Sequence, residues 1–171
     1  MDVTTLLVDA LSRIPGAVGE AIEDLDVDAL GWRPAPDANP IGWLVWHLTR
    51  VQDAQIAPLA GVEEIWTRDG WADRFDVPAG TNTHGYGWTP EQVGQLQVRS
   101  VKLLLDHLAV VNARCRELVA AFSPADLDRV VDESWSPPVT AGVRLVSVVD
   151  DVAQHTGQVG YVRGLYDQRE R

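Results

Sequence analysis

Apolar residues recur at three- and four-residue steps in four long stretches of the chain. The most regular stretch has such residues at Val101, Leu104, Leu108, Val111, Cys115, Leu118 and Phe122. This spacing places them on one face of a helix, and that face must be buried. The other predicted helices run from Thr4 to Leu25, from Pro40 to about Leu59 and from roughly Thr140 to Tyr166. Four long amphipathic helices predict an all-α protein, a four-helix bundle.

Proline and glycine positions predict how the helices are bounded and joined. Pro15 predicts a bend in the first helix, and Asn39 followed by Pro40 predicts an N-cap and first turn for the second. The segment from Gly61 to Pro90 lacks sustained periodicity and predicts a long irregular connection. Because such connections exceed those of simple up-down bundles, we expect long crossover connections within one domain spanning residues 1–171.

Composition narrows the classes of function. With 14 basic and 25 acidic side chains, the net charge of −11 disfavours binding to nucleic acid and to anionic membrane surfaces. The single cysteine, Cys115, excludes an internal disulfide, and its place on an apolar helix face predicts a small buried hydrophobe. No targeting segment or long apolar run is recognisable, so we expect a cytoplasmic protein.

Two histidines and one aspartate stand out among the polar residues of the predicted helices. His155 takes a position on the apolar face of the last helix, and Asp151 lies four residues before it. Residues at this spacing project side by side, so both can reach one metal ion. His47 follows a nearly unbroken apolar run in the second helix. A site of two histidines and one carboxylate would leave coordination positions open, as catalytic metal sites do.

An alternative reading leaves these histidines without a metal. Both would then be core residues that form hydrogen bonds with backbone groups, hydroxyls or Asp151. The other two histidines, His84 and His107, are possible extra ligands, but His84 is rather expected on a loop surface and His107 on a solvent-facing helix edge. Four aromatic residues of the long connection are candidates to wall a pocket over the metal, namely Trp66, Trp71, Tyr86 and Trp88.

The segments around the two histidines resemble a known family. Ile-Gly-Trp-Leu-Val-Trp-His47-Leu-Thr-Arg-Val, preceded by Gly-Trp32-Arg-Pro, and the final stretch containing Asp151-Val-Ala-Gln-His155-Thr-Gly-Gln are similar to the DinB-like superfamily of metal-binding four-helix bundles. The resemblance is greatest to the actinobacterial branch of mycothiol S-transferases and mycothiol-dependent maleylpyruvate isomerases. It implies His47, Asp151 and His155 as metal ligands, with aspartate where many DinB-like proteins have histidine and the related isomerases have glutamate.

The resemblance implies a function in thiol chemistry. The expected activity is a metal-dependent thiol S-transferase that conjugates a low-molecular-weight thiol, mycothiol by resemblance, to electrophilic small molecules. The expected ion is divalent, with Zn²⁺ first and Ni²⁺, Mn²⁺ or Fe²⁺ as alternatives. Gln158, one turn after His155, is a candidate contact for the cofactor or for a metal ligand. Two enzyme alternatives stay open: a metal-dependent hydrolase, and a thiol-dependent isomerase in which Arg50 or Arg163 would clamp an acid. A noncatalytic bundle that binds a small molecule or forms a homodimer is the third.

Overall fold

The periodic apolar faces of the sequence fold into long helices that pack around one core. A computed structural model describes residues 2–77 and 84–169. Its elements in chain order are α1 (Val3–Ser12), α2 (Ile14–Ile22), α3 (Val27–Gly31), α4 (Ile41–Leu59), α5 (Ile65–Arg68), α6 (Trp71–Arg74), α7 (Pro90–Gln95), α8 (Val101–Ala120), α9 (Pro124–Asp128), β1 (Val130–Asp132), β2 (Val139–Thr140) and α10 (Ala141–Gln168).

The predicted four-helix bundle is confirmed, with the first predicted helix divided in two. Helix α4 packs extensively against both α8 and α10, while α1 packs on α8 and α2 packs on α10. The division between α1 and α2 falls at Arg13, directly before Ile14 and Pro15. Proline has no N–H and its ring collides with the carbonyl group four residues earlier, so the helical hydrogen bonds cannot run through it. The predicted bend is therefore a break.

The ends of the other long helices lie close to their predicted positions. Thr140 is the N-cap of α10, and its hydroxyl accepts a hydrogen bond from the backbone N–H of Val143. For α4 the predicted cap is wrong by one residue: Pro40, not Asn39, is the N-cap, and no side chain caps that end. Within residues 2–77 and 84–169, no helix combines the length and apolar character needed to cross a lipid bilayer.

The long connection after α4 carries short helices that are held on the bundle by a buried ion pair. The Asp53 carboxylate accepts hydrogen bonds from the backbone N–H groups of Ile65 and Trp66 at 2.9 and 2.7 Å. The Arg50 guanidinium is fully buried and pairs with Asp53 at 3.3 Å and with Glu64 at 2.8 Å. These contacts fix α5 against α4. Part of the irregular segment predicted between Gly61 and Pro90, residues 78–83, lies outside the described residues.

A small hairpin precedes the last helix and was not predicted. Strands β1 and β2 are antiparallel, with Val130 opposite Thr140 and Asp132 opposite Val139. Strands of two or three residues are too short to show the alternating pattern that would reveal them in a sequence. The connection between them carries Trp135, which is 66% exposed, so the hairpin presents an indole at the surface beside α10.

His107 is buried in the core, so the prediction of a solvent-facing position is wrong. Its ring packs among Trp66, Trp71 and Phe75, with ring centroids 5.5, 4.6 and 5.3 Å away. Neither ring nitrogen has a hydrogen-bond partner among the described residues. Burial lowers the pKa of His107 to about 3, since the charged form would lose its hydration. The ring is therefore neutral at pH 7.

Replacing His107 with leucine is expected to reduce the acid sensitivity of the metal-free protein. The unfolded chain takes up a proton on this histidine near pH 6.5, whereas the folded chain resists protonation down to about pH 3. Stability is therefore lost as the pH falls below about 6.5. Between pH 7.5 and 5.5 the variant should lose about 1 kcal/mol less unfolding free energy than the parent. Urea unfolding at the two pH values measures this, and equal losses in both proteins would contradict it.

Candidate metal centre

The three residues predicted to bind a metal meet between α4 and α10. His47 projects from α4, and Asp151 and His155 project side by side from one face of α10. One ligand atom from each lies within 4.8 Å of those of the other two. The rings of His47 and His155 are nearly perpendicular, with centroids 4.8 Å apart. The packing of these two helices thus gathers donors that are more than a hundred residues apart in the sequence.

His47 is held so that one ring nitrogen can face an ion. Its Nδ1 forms a short hydrogen bond with the backbone carbonyl oxygen of His84. Because a carbonyl oxygen only accepts, Nδ1 carries the hydrogen and the lone pair is on Nε2. Trp43 stacks on the ring at 4.5 Å with an interplanar angle of 10°. Burial lowers the pKa of His47 to about 4, so the ring is neutral at pH 7, as a ligand must be.

His155 is oriented in the same way by a side chain of its own helix. Its Nδ1 lies 2.8 Å from Oε1 of Gln158, which accepts a hydrogen bond from the Nδ1–H group. The other nitrogen, Nε2, lies 3.7 Å from Oδ2 of Asp151. Outer partners of this kind fix the ring and the tautomer of ligating histidines in metal proteins. Gln158 therefore contacts a candidate metal ligand, and its predicted contact with a cofactor stays a prediction.

Asp151 has the properties of a metal ligand. Its Oδ1 atom is buried and has no hydrogen-bond partner among the described residues. Burial raises the pKa of this carboxyl group above its ordinary value, because the charged form loses hydration. A buried carboxylate oxygen needs a donor or a cation. Two imidazoles whose Nδ1 atoms are engaged in hydrogen bonds, together with one such carboxylate, fit a divalent cation that accepts nitrogen and oxygen ligands.

A cavity of about 510 Å³ opens beside the centre, and Asp151 and His84 form part of its wall. Its other lining residues come from α4, α10, the hairpin and the loop before α7: Val51, Gln55, Tyr86, Asp132, Trp135, Val139, Val143, Arg144, Ser147 and Val148. The size is within the range of small-molecule sites in proteins, about 300–1,000 Å³. A molecule bound in this cavity would lie next to Asp151, one of the three candidate metal ligands.

The predicted surface position of His84 is wrong. Its side chain is half-buried, it lines the cavity, and Nδ1 has no hydrogen-bond partner within the described chain. Burial lowers the pKa of His84. Its backbone carbonyl also orients His47, and the only sign of this in the sequence is the adjacent Gly85. With a φ of +90°, Gly85 adopts a conformation that favours glycine and lets the loop approach the ring.

Of the four aromatic residues predicted over the metal, one lines the cavity. That residue is Tyr86, which is 82% exposed at the opening. Trp66 and Trp71 instead pack around His107 in the core, and Trp88 stacks on Trp46 at 5.2 Å. The aromatic residues of the long connection therefore serve mainly to attach it to the bundle.

Neither arginine predicted as a clamp lines the cavity. Arg50 is committed to Asp53 and Glu64 in the core. Arg163 pairs with Asp24 at 2.6 Å and with Asp167 at 2.9 Å. The guanidinium that does line the cavity belongs to Arg144.

The fold and the site define a class of protein: an all-α bundle with a candidate centre of two histidines and one aspartate between two core helices. The family model of the DinB superfamily matches residues 10–159. The chain belongs to the DinB superfamily. Members of this superfamily often bind metal, and the site described above fits that property.

Among solved structures, the chain is similar to a conserved protein from Enterococcus faecalis. The two share 34% sequence identity, with a TM-score of 0.88, over 95% of this chain and 96% of the other. No curated protein sequence matches the chain. The family and the fold are thus established, whereas the mycothiol branch suggested by the sequence stays a prediction.

Proposed function

We propose that the protein is a metal-dependent thiol S-transferase that joins a low-molecular-weight thiol to an electrophilic small molecule. The observation that carries the proposal is the convergence of His47, Asp151 and His155, of which Asp151 also lines an open cavity. In both histidines Nδ1 is engaged in a hydrogen bond, so Nε2 is the nitrogen that can bind the metal ion. Three protein ligands with free coordination positions are typical of catalytic metal sites.

The chain's own cysteine cannot serve as the nucleophile. Cys115 is buried on α8, and burial raises the pKa of its thiol far above the ordinary value. Such a thiol is not ionised at neutral pH and meets no substrate. A thiol function therefore requires a thiol from outside, which enters through the cavity. Mycothiol is the candidate implied by the family resemblance.

In this reaction the protein would hold the metal ion and orient the side chains that bind it. His47, Asp151 and His155 would hold a divalent cation, for which Zn²⁺ is the first candidate, while Gln158 and the His84 carbonyl keep the two rings in place. When bound, the cation would lower the pKa of a thiol that enters its open position and so supply a thiolate at neutral pH. The transfer forms a C–S bond as the bond to the leaving group breaks. The leaving group takes the electron pair, and the thiol proton passes to solvent.

The isomerase and hydrolase alternatives would use the same ligands. An isomerase acting on an unsaturated acid would need a free basic group near the centre, but Arg50 and Arg163 are both held in ion pairs away from the cavity. A hydrolase would use the cation to polarise a carbonyl group or to activate water. No contact of the described residues favours hydrolysis over thiol transfer, and an assay for ester hydrolysis distinguishes the two.

Purified protein loaded with Zn²⁺ is expected to conjugate thiols to an activated aryl chloride. The thiols to compare are mycothiol, glutathione and cysteine, with products measured by mass spectrometry. His155→Ala should lose the metal-dependent rate because its Nε2 is one of three donors. The control is Gln154→Ala on the same helix, since the Gln154 side chain donates its hydrogen bond to the exposed Asp150 and not to a candidate ligand.

Three results would decide between the alternatives. Conjugation lost in His155→Ala and kept in Gln154→Ala supports the transferase. Metal binding without conjugation by any thiol, together with ester hydrolysis, favours the hydrolase. Absence of metal after Zn²⁺ is supplied favours the noncatalytic bundle.

A further inference from the structure

The cavity beside the metal centre has an aromatic and aliphatic opening. Trp135 from the hairpin and Tyr86 from the loop before α7 are 66% and 82% exposed, and Val143 on α10 is 53% exposed. All three line the cavity. In the described part of the chain Trp135 stacks on no other ring, so its faces are open to a ligand. Exposed aromatic residues around an opening are typical of a surface that binds flat apolar groups.

The arginine and one of the aspartates that line the cavity are paired with each other. Arg144 donates to Oε1 of Gln55 at 2.7 Å and to Oδ2 of Asp132 at 3.1 Å. Asp132 is itself fixed by Ser134, whose backbone N–H and hydroxyl donate to Oδ1 at 3.0 and 2.6 Å. The Arg144–Asp132 pair is therefore internally neutralised and held in place. It offers no free guanidinium to a substrate carboxylate.

We propose that this cavity binds the electrophilic substrate as an uncharged aromatic molecule, stacked on Trp135 and Tyr86 with its reactive end toward Asp151. The inference rests on the proposed transferase function and adds the class of substrate and the residues that select it. Asp151 belongs to the candidate centre and lines the cavity, whereas the high exposure of Trp135 and Tyr86 places these two side chains at its opening. A flat ring held by the aromatic residues would thus extend toward the centre.

The discrimination between neutral and acidic substrates follows from the same residues. A carboxylate entering the cavity would lose hydration and meet a guanidinium already bonded to Asp132 and Gln55. The net charge of −11 also repels anions at long range. A bound cation would attract an acidic substrate, so binding must be compared with and without metal.

The test measures binding without turnover. Dinitrobenzene and dinitrobenzoate have the ring of an activated aryl chloride but no leaving group, and calorimetry gives their affinities for metal-free and Zn²⁺-loaded protein. Dinitrobenzene should bind at least tenfold more tightly than dinitrobenzoate to the metal-free protein, and should keep the advantage when Zn²⁺ is bound. Trp135→Leu should weaken dinitrobenzene binding about tenfold, since the stacking face is lost while an apolar side chain remains.

Tyr161→Leu is the matched control. Tyr161 is an exposed aromatic residue of α10 at 69% exposure, and it does not line the cavity. Equal or tighter binding of dinitrobenzoate, or unchanged binding in Trp135→Leu, would overturn the proposal. So would a parent dimer, seen by sedimentation, that Trp135→Leu dissociates, because the aromatic opening would then be an interface between two copies. Because the assay needs no thiol transfer, its result is independent of whether the transferase function holds.

Discussion

Replacing Asp151 with asparagine is expected to remove the metal from the protein while leaving the fold intact. The substitution keeps the size of the side chain but removes the only carboxylate of the candidate centre. Loss of an outer partner of a ligand typically costs about 10–100-fold in metal affinity, so loss of a ligand should cost more than about 100-fold. Elemental mass spectrometry after gel filtration should find near-stoichiometric metal in the parent and almost none in the variant.

Thermal unfolding gives a second measure of the same site. A cation at a free concentration of about 100 times its Kd stabilises the folded state by about 2.7 kcal/mol. For a protein of this length, that shift raises the Tm by about 5–11 °C. The parent should show this rise with Zn²⁺, and Asp151→Asn should not. The rise in Tm of Gln158→Leu should lie between those of the parent and Asp151→Asn. This variant loses the hydrogen-bond partner of His155 but keeps all three candidate metal ligands.

Without metal, Asp151→Asn should be at least as stable as the parent. Burial raises the pKa of Asp151 in the folded state, so above that pKa the charged carboxylate opposes folding. Asparagine removes this cost. Asp150→Asn makes the same change one residue earlier, at an exposed position, and should keep the metal. Equal metal content in Asp151→Asn and the parent would contradict the proposed ligand set.

Much of the bundle could be predicted because its long helices have uninterrupted periodicity. The predicted helix from Val101 is α8, and the predicted helix from Thr140 to Tyr166 is α10, which ends at Gln168. The clustering of His47, Asp151 and His155 was predictable for a related reason. A four-residue spacing places two side chains together within one helix, and a histidine in an apolar run demands a partner. Both signals depend only on neighbouring residues in the sequence, so they can be recognised without the tertiary structure.

The surroundings of the site could not be predicted because they depend on contacts between distant segments. His107 lies beside Asp106 in the sequence, and only the folding of α5 and α6 over it makes it a core residue. The partner of His47 is a backbone carbonyl, which any residue type supplies. No pattern of side chains can specify such a contact. The cavity likewise joins the hairpin and the loop before α7, neither of which shows periodicity.

The loop that orients His47 leads to the second large expected effect. Gly85→Ala should reduce both the stability of the protein and its affinity for metal. An alanine Cβ at this position would lie 2.9 Å from Cζ3 of Trp46, 3.0 Å from Cζ2 of Trp43 and 3.3 Å from Nδ1 of His47. The positive φ and the collision together should cost on the order of 2–5 kcal/mol of unfolding free energy. Urea unfolding measures this loss.

Metal binding should weaken in the same variant because the loop must move away from His47. The hydrogen bond from Nδ1 to the His84 carbonyl would then be lost, at a cost of about 10–100-fold in affinity by calorimetry with Zn²⁺. Gly87→Ala separates the effect of backbone strain at a positive φ from the effect of the steric collision. Gly87 has a φ of +73° in the same loop, but its Cβ would have no neighbour within 4 Å. It should therefore lose some stability through backbone strain alone and keep the metal affinity of the parent. If Gly85→Ala also kept that affinity, the loop would not orient His47, and burial against Trp43 would suffice to hold the ring.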